Sequence, residues 1–356
     1  MVSILVASVS DNSGKSLVCL GLGLKFKKDG LRVGYFKPIG PLPCREDGVL
    51  VDEDAVFFKK TLKLEEPLPT ICPLVLNDEA ITARLKGADL HAKPKTLSAF
   101  NVVSHGKDVV LACGLGRLSS GTTLGFSQLE FVNATESKVI VIDKCTFLPE
   151  TLDGFLHISR LLGERLVGVI FNRIPLAKVS YIRDTVVPFL AANGIDLLGV
   201  IPVDPVLGAV PVKELVEVLN GRVLCAEANL DELVEHFSIG AMNVDAALKH
   251  FHMVPNKAVI TGGDRADIQL AALETSTKCL ILTGDLYPND IIIGRAEQAG
   301  VPIIVVRTDT AATLDICENL TGHISLHSGK IQRVADVVER ELDFPLLYKK
   351  AGLKPA

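Results

Sequence analysis

The chain has 356 residues, 48% hydrophobic and 22% charged, enough for about two domains of ordinary size. A net charge of −5 and a pI near 5.9 lack the basic footprint of a nucleic-acid binder, and 5% aromatics without tryptophan argue against a base-stacking platform. No apolar run approaches the ~18 residues of a membrane span, and the N-terminus lacks the basic start and cleavage site of a signal peptide, so a cytoplasmic protein is expected.

The apolar run Val2 to Val9 predicts a strand that breaks into Ser10-Asp11-Asn12-Ser13-Gly14-Lys15-Ser16 before a helical segment opens at Leu17. A strand, a loop and a helix start carrying Gly-Lys-Ser suit a phosphate cradle: backbone N–H groups face phosphate oxygens, Lys15 adds a positive charge, and the Ser16 hydroxyl can ligate Mg²⁺. The strict pattern has a glycine at position 9, where this chain has Val9. The plainer alternative is an ordinary helix N-terminus with Ser13 or Ser16 as its cap.

Further apolar runs at 32–36, 108–111, 138–142, 167–171 and 196–201 alternate with segments of helical period. Near-continuous apolar strands are buried on both faces, which predicts an α/β fold with a parallel sheet covered by helices. The run at 32–36 leads into Lys37 at a strand's carboxyl end, where ligands bind in open α/β sheets, so Lys37 either neutralises phosphate charge or is a solvated surface lysine. Asp52-Glu53-Asp54 precedes a helix and suits either a Mg²⁺ ion or the helix dipole.

An acidic, helix-favouring stretch at 227–237 separates this region from a second α/β alternation, with strands expected at 258–261, 279–282 and 303–306 and a closing helix at 334–342. The expected division is a nucleotide-binding domain over 1–220, a linker over 221–237, a second α/β domain over 238–345 and a tail over 346–356. Thr261-Gly262-Gly263-Asp264-Arg265, Thr283-Gly284 and Asp309-Thr310 follow the three strands and form either a ligand rim or a set of helix caps and turns. The eight cysteines are scattered without a C-x-x-C pair, which predicts buried reduced thiols. His250/His252 and His323/His327 lack cysteine or carboxylate partners at metal-site spacing.

Gly-Lys-Ser, Tyr35-Phe36-Lys37-Pro38-Ile39, Asp54-Ala55 and Gly168-Val169-Ile170-Phe171-Asn172-Arg173-Ile174-Pro175 occur in the order seen in dethiobiotin synthetases. Residues 188–205 extend the likeness, which is nearest to the dethiobiotin-synthetase-like N-terminal region of long phosphotransacetylases. The three polar turns of the second domain resemble the DRTGG domain that accompanies that region. The resemblance implies a P-loop nucleotide-binding domain in which residues 10–16 wrap the ATP phosphates. Ser16 and Asp54 would hold Mg²⁺, Lys37 would lie near the transferred phosphate as a catalytic residue, and Asn172, with Arg173 beside it, would contact the adenine.

The family also places a Mg²⁺-binding glutamate after the strand at 108–111, where this chain reads Ala112-Cys113-Gly114. A thiol is a poor ligand for Mg²⁺, so nucleotide binding is expected to outlast phosphoryl transfer. The expected function is an ATP- and Mg²⁺-binding regulatory protein with a ligand-sensing or dimerising second domain, likeliness to phosphotransacetylases suggesting such an enzyme as partner and a homodimer as assembly. An ATP-dependent carbon–nitrogen ligase like dethiobiotin synthetase, and a nucleotide-independent scaffold, are the alternatives. Acetyl transfer is not expected from these two domains.

Overall fold

The computed structural model describes residues 1–322 and 330–355. It divides the chain into two compact units, one built from Met1–Val203 with the C-terminal helices, the other beginning at Asp204.

The first unit contains β1 (Val2–Ser8), β2 (Val33–Phe36), β3 (Pro43–Glu46), β4 (Val49–Asp52), β5 (Val109–Cys113), β6 (Lys138–Asp143), β7 (Leu166–Ile174) and β8 (Leu197–Pro202). Six of these form a parallel sheet in the order β2-β5-β1-β6-β7-β8, and β3 pairs with β4 in a separate hairpin. The expected strand runs are all present. They are buried because helices cover both faces, as the near-continuous apolar runs require. Chain order reverses across β1, so the loop after β1 opens at the crevice where such sheets bind ligands.

Helix α1 (Lys15–Lys28) follows that loop, and α2 (Glu53–Leu62) follows the hairpin. Leu17, Val18, Leu20 and Leu22 of α1 are all buried, which explains why its sequence is apolar around most of its circumference. Part of the cover comes from the far end of the chain. Helix Ile331–Glu341 packs on α1, where a Cβ at Gly21 would lie 2.4 Å from Val338 Cγ2. The following helix, Phe344–Ala351, brings Phe344 and Tyr348 against Phe26 with ring centroids 6.5 and 5.7 Å apart.

This placement revises the expected division. The helix at 334–342 closes the first unit instead of the second, and residues 346–351 are a packed helix instead of a tail. Periodicity marks an amphipathic helix but not the surface that buries it.

The second unit contains β9 (Val210–Pro211), β10 (Arg222–Val223), β11 (Leu233–Val234), β12 (His236–Ile239), β13 (Lys257–Gly262), β14 (Thr277–Thr283) and β15 (Ile303–Val305). Its main sheet runs β10-β15-β14-β13-β12, with β10 antiparallel and the rest parallel. The stretch at 221–237 is therefore not a linker: β10 forms one edge of the sheet, a single 3-10 turn at Glu227–Asn229 is its helical part, and β12 begins the other edge at His236. Both edge strands are short and carry polar residues, so neither shows the apolar run of a central strand.

The seat of the C-terminal helix on α1 is testable. Gly21→Leu is expected to destabilise the first unit by about 1–3 kcal/mol through overpacking against Val338, seen as a lower denaturation midpoint. An unchanged midpoint would show that the helix does not close on this glycine.

Candidate functional site

The loop between β1 and α1 is shaped by two left-handed residues, Asn12 at φ 53° and Gly14 at φ 84°. Gly14 occupies the N-cap position of α1, with no side-chain cap and no acidic residue in the first turn. The expected alternative, a cap by Ser13 or Ser16, is thus not realised. The first N–H groups and the positive end of the helix dipole are left facing the loop's concavity.

Ser13 is fully buried, its hydroxyl donating to the Ser10 carbonyl at 2.7 Å and to Asp143 Oδ1 at 3.2 Å. Asp143, at the carboxyl end of β6, also accepts from the Ser10 amide (3.2 Å), the Ser10 hydroxyl, the Cys145 amide (3.1 Å) and the Thr151 hydroxyl (2.6 Å). From β7, Asn172 donates through Nδ2 to the Ser13 carbonyl at 2.8 Å. The loop is therefore held in shape by the two neighbouring strands. Val9 fits at the strict pattern's glycine position because a glycine faces it: a Cβ at Gly154 would stand 2.4 Å from Val9 Cγ1.

Lys15 reaches back to donate to Ser8 Oγ at 3.1 Å and makes no salt bridge among the described residues. Burial pushes its pKa below the ordinary lysine value, opposed in part by the negative character of Cys113 and Asp11. A desolvated ammonium without a carboxylate favours an incoming anion. Asp11 is exposed.

Across the loop, the Ser16 hydroxyl donates to Asp54 Oδ2 at 2.8 Å. Lys37 is buried, and its Nζ donates at 2.7 Å to both Asp52 Oδ1 and Asp54 Oδ2, which excludes the solvated-lysine alternative. Burial acts to lower the Lys37 pKa, but the two carboxylates outweigh it and raise it well above the ordinary value. Asp52 is raised from its ordinary value because burial outweighs the pull of Lys37. Asp52 also accepts from the Leu42 and Ala55 amides at 3.1 Å each, so it caps α2 while Asp54 faces the loop. Of the two expected roles, Asp52 takes that of the helix cap, while Asp54 is bonded to Ser16 and Lys37.

Cys113 Sγ lies 3.9 Å from Ser16 Oγ, in the corner where the resemblance calls for a glutamate. The neighbouring Cys19 thiol and the positive charge of Lys37 and Lys15 lower the Cys113 pKa, while that of Cys19 rises with burial. These partners are distant in sequence, which is why no basic neighbour of Cys113 is visible along the chain. Ser16 and Asp54 offer Mg²⁺ two oxygen ligands, and the hard donors fit that ion; the thiol does not. No group of three or more His, Cys, Asp or Glu that could hold a metal occurs among the described residues, so a metal here would depend on phosphate oxygens. His323 and His327 lie outside the described residues.

In the second unit the polar turns do gather at the carboxyl ends of adjacent strands, but much of their polarity is internally matched. Thr283 Oγ1 lies 3.0 Å from Thr310 Oγ1 and donates to the Thr261 carbonyl at 3.4 Å, while Thr261 Oγ1 donates to the Gly240 carbonyl at 3.2 Å. Arg265 donates to Asp267 Oδ1 and to the Met242 carbonyl at 3.0 Å each, and Asp309 accepts from the Ala312 amide as a helix cap. Gly263 is required by packing, since a Cβ there would meet the Leu286 carbonyl oxygen at 2.0 Å. Gly262 accepts through its carbonyl from Gln269, Gly284 takes φ 79°, and Asp264 is exposed.

Asp143, Thr151, Cys19 and Gly154 were missed as contributors to the first site. Asp143 alone had a sequence signal, as a carboxylate ending an apolar strand at the ligand-binding edge.

Lys37→Met is expected to cost about 3–5 kcal/mol at pH 8, because it leaves two carboxylates uncompensated. The raised Asp52 pKa sets the sign: protonation relieves the buried charge, so the variant's deficit should shrink between pH 8 and pH 5 in denaturant titrations. A deficit independent of pH would contradict this electrostatic account.

Residues 2–211 match the AAA domain family, and residues 214–320 match the DRTGG domain. The phosphate acetyltransferase of Synechocystis sp. is 25% identical over 361 residues, covering 96% of this chain and 50% of its own length. That of Pseudomonas putida is 25% identical over 378 residues, covering 99% and 52%. The ATP-dependent dethiobiotin synthetase of Caldicellulosiruptor saccharolyticus is 25% identical over 213 residues, covering 52% of this chain and 87% of its own. This chain spans about half the length of the phosphate acetyltransferases it matches. With its P-loop sheet followed by a DRTGG domain, the chain belongs to the AAA domain family, in the dethiobiotin-synthetase-like form related to the N-terminal half of phosphate acetyltransferases.

Proposed function

We propose that the first unit binds ATP with Mg²⁺ at residues 10–16 and that the chain acts as a regulatory protein with slow phosphoryl chemistry. The observation that carries this reading is Lys15: a desolvated ammonium with only the Ser8 hydroxyl as hydrogen-bond partner among the described residues, at the uncapped N-terminus of α1. Ammonium, backbone N–H groups and helix dipole all favour the same negative ligand.

In this proposal Lys15 and the loop amides receive the phosphates, while Ser16 and Asp54 hold Mg²⁺ together with phosphate oxygens. Mg²⁺ would supply charge neutralisation between the phosphates. Arg173, half-buried beside Asn172, would flank the nucleoside. Lys37 is compensated by two carboxylates, so it adds little net charge to a transferred phosphate unless Asp54 turns toward the metal. Cys113 stands where a carboxylate would add a negative ligand for Mg²⁺, which supports binding with slow turnover.

The match to a DRTGG domain supports assigning the second unit to regulation, through a ligand at its three gathered turns or through dimerisation. Its relatives make a phosphotransacetylase the enzyme class to examine as a partner.

MgATP at about 100 times its dissociation constant should stabilise the protein by about 2.7 kcal/mol, read by thermal unfolding. Phosphate release should remain near background, and Cys113→Glu should raise it. Brisk release by the unaltered protein would overturn the regulatory reading in favour of an ATP-using enzyme. Absence of any stabilisation would overturn nucleotide binding itself.

A further inference from the structure

We infer that the corner formed by Ser16, Asp54 and Cys113 holds a thiophilic divalent cation of the Zn²⁺ class, through a metal–sulfur bond, more tightly than Mg²⁺ beside a bound nucleotide; the inference rests on the phosphate-loop reading above. Three side chains from three elements meet there: Ser16 in the first turn of α1, Asp54 in the first turn of α2 and Cys113 at the end of β5. The Ser16 hydroxyl oxygen stands 2.8 Å from Asp54 Oδ2 and 3.9 Å from Cys113 Sγ. A tetrahedral ion with ordinary zinc–oxygen and zinc–sulfur bonds keeps two oxygens about 3.3 Å apart and an oxygen and a sulfur about 3.6 Å apart. The observed spacings differ from these by about half an ångström or less. Small side-chain shifts therefore suffice for an ion seated on Ser16 to take both neighbours as ligands.

Cys113 is 2% exposed and the Asp54 side chain 15%, so the corner is shielded from bulk water. Mg²⁺ dehydrates reluctantly and keeps several waters, whereas Zn²⁺ accepts few ligands and bonds strongly to sulfur. On binding, the metal replaces the Cys113 thiol proton, which leaves to solvent, and nothing changes oxidation state. Asp54 can turn to the ion without stranding Lys37, whose ammonium keeps its 2.7 Å bond to Asp52. The protein offers one thiolate, one carboxylate and one hydroxyl, and no third His, Cys, Asp or Glu completes a metal group among the described residues. Lys15 and Lys37 also place positive charge near the thiol. The phosphates must therefore complete the coordination and offset the ammonium groups, which makes the site a joint one for metal and nucleotide.

Oxygen-only sites also bind later transition metals more tightly than Mg²⁺, so the mark of this site is the metal–sulfur bond. The test is a titration of Co²⁺ into the full chain with and without ATP, because Co²⁺ substitutes for Zn²⁺ and a thiolate ligand gives it a sulfur-to-metal charge-transfer absorption. The band is expected with ATP and not without it, to be abolished by Zn²⁺, and to survive Mg²⁺ in about hundredfold excess. Cys113→Ser, which exchanges a soft donor for a hard one at similar size, should remove the band and lower the preference of ATP binding for Zn²⁺ over Mg²⁺ by at least about tenfold. Cys19→Ser, which alters the neighbouring thiol, should keep the band. A band that persists in Cys113→Ser, one of equal strength without ATP, or one that Mg²⁺ displaces at equal concentration would overturn the inference, as would ATP binding with Mg²⁺ and Co²⁺ but no band. The ATP dependence of the wild-type absorption decides the matter even if a variant does not fold. Failure of ATP to bind with any of the three cations would instead overturn the underlying phosphate-loop reading and this inference with it.

Discussion

The site depends on a buried carboxylate that gathers the phosphate loop. Asp143 accepts from one backbone amide and two hydroxyls of the loop while its other oxygen is held by Thr151 and Cys145. A loop without secondary structure loses conformational entropy when fixed, and charge-assisted hydrogen bonds of this kind offset that loss. Asn172 fixes the loop from the adjoining strand. The parallel pairing of β6 with β7, which sets Asp143 opposite Phe171, brings both anchors to the same end of the sheet.

From that anchoring follows the electrostatic character of the pocket. The loop's left-handed turn at Gly14 starts α1 without a cap, so the helix end keeps its positive field. Two lysines stand nearby in opposite conditions. Lys37 is locked between Asp52 and Asp54, whereas Lys15 has only a hydroxyl and is held partly out of water. One lysine maintains the pocket's internal structure; the other is available to an anion. In the proposed reading this geometry supports binding over chemistry, because the corner beside Ser16 carries the Cys113 thiol where catalysis with Mg²⁺ would call for an oxygen ligand.

Much of this was legible along the chain, and the exceptions share a physical cause. The central strands could be read because burial on both faces demands uninterrupted apolar residues, and Lys15, Ser16, Lys37 and Asp54 because they occur at strand ends and helix starts. The edge strands β10 and β12 were not legible, since an edge has fewer neighbours and tolerates polar residues. Nor was the seat of helix Ile331–Glu341, whose amphipathic pattern shows that it is covered but not by what. Asp143 with Ser10, Cys19 with Cys113, and Gly154 with Val9 are relations across more than 90 residues, set by sheet order and not by local pattern. Asn172 is marked by the resemblance, but its bond to the Ser13 carbonyl, 159 residues away in sequence, has no local signal.

The central claim is that Lys15, desolvated at the uncapped end of α1, is the group that receives a nucleotide's phosphates. Calorimetric titration of MgATP into the full chain and into Lys15→Ala tests it most directly, with circular dichroism confirming that the variant is folded. The account predicts saturable binding by the unaltered protein and an affinity at least about tenfold lower in the variant, the size expected for one charge-assisted contact. Equal affinity in the two proteins, or no binding to either, would contradict it.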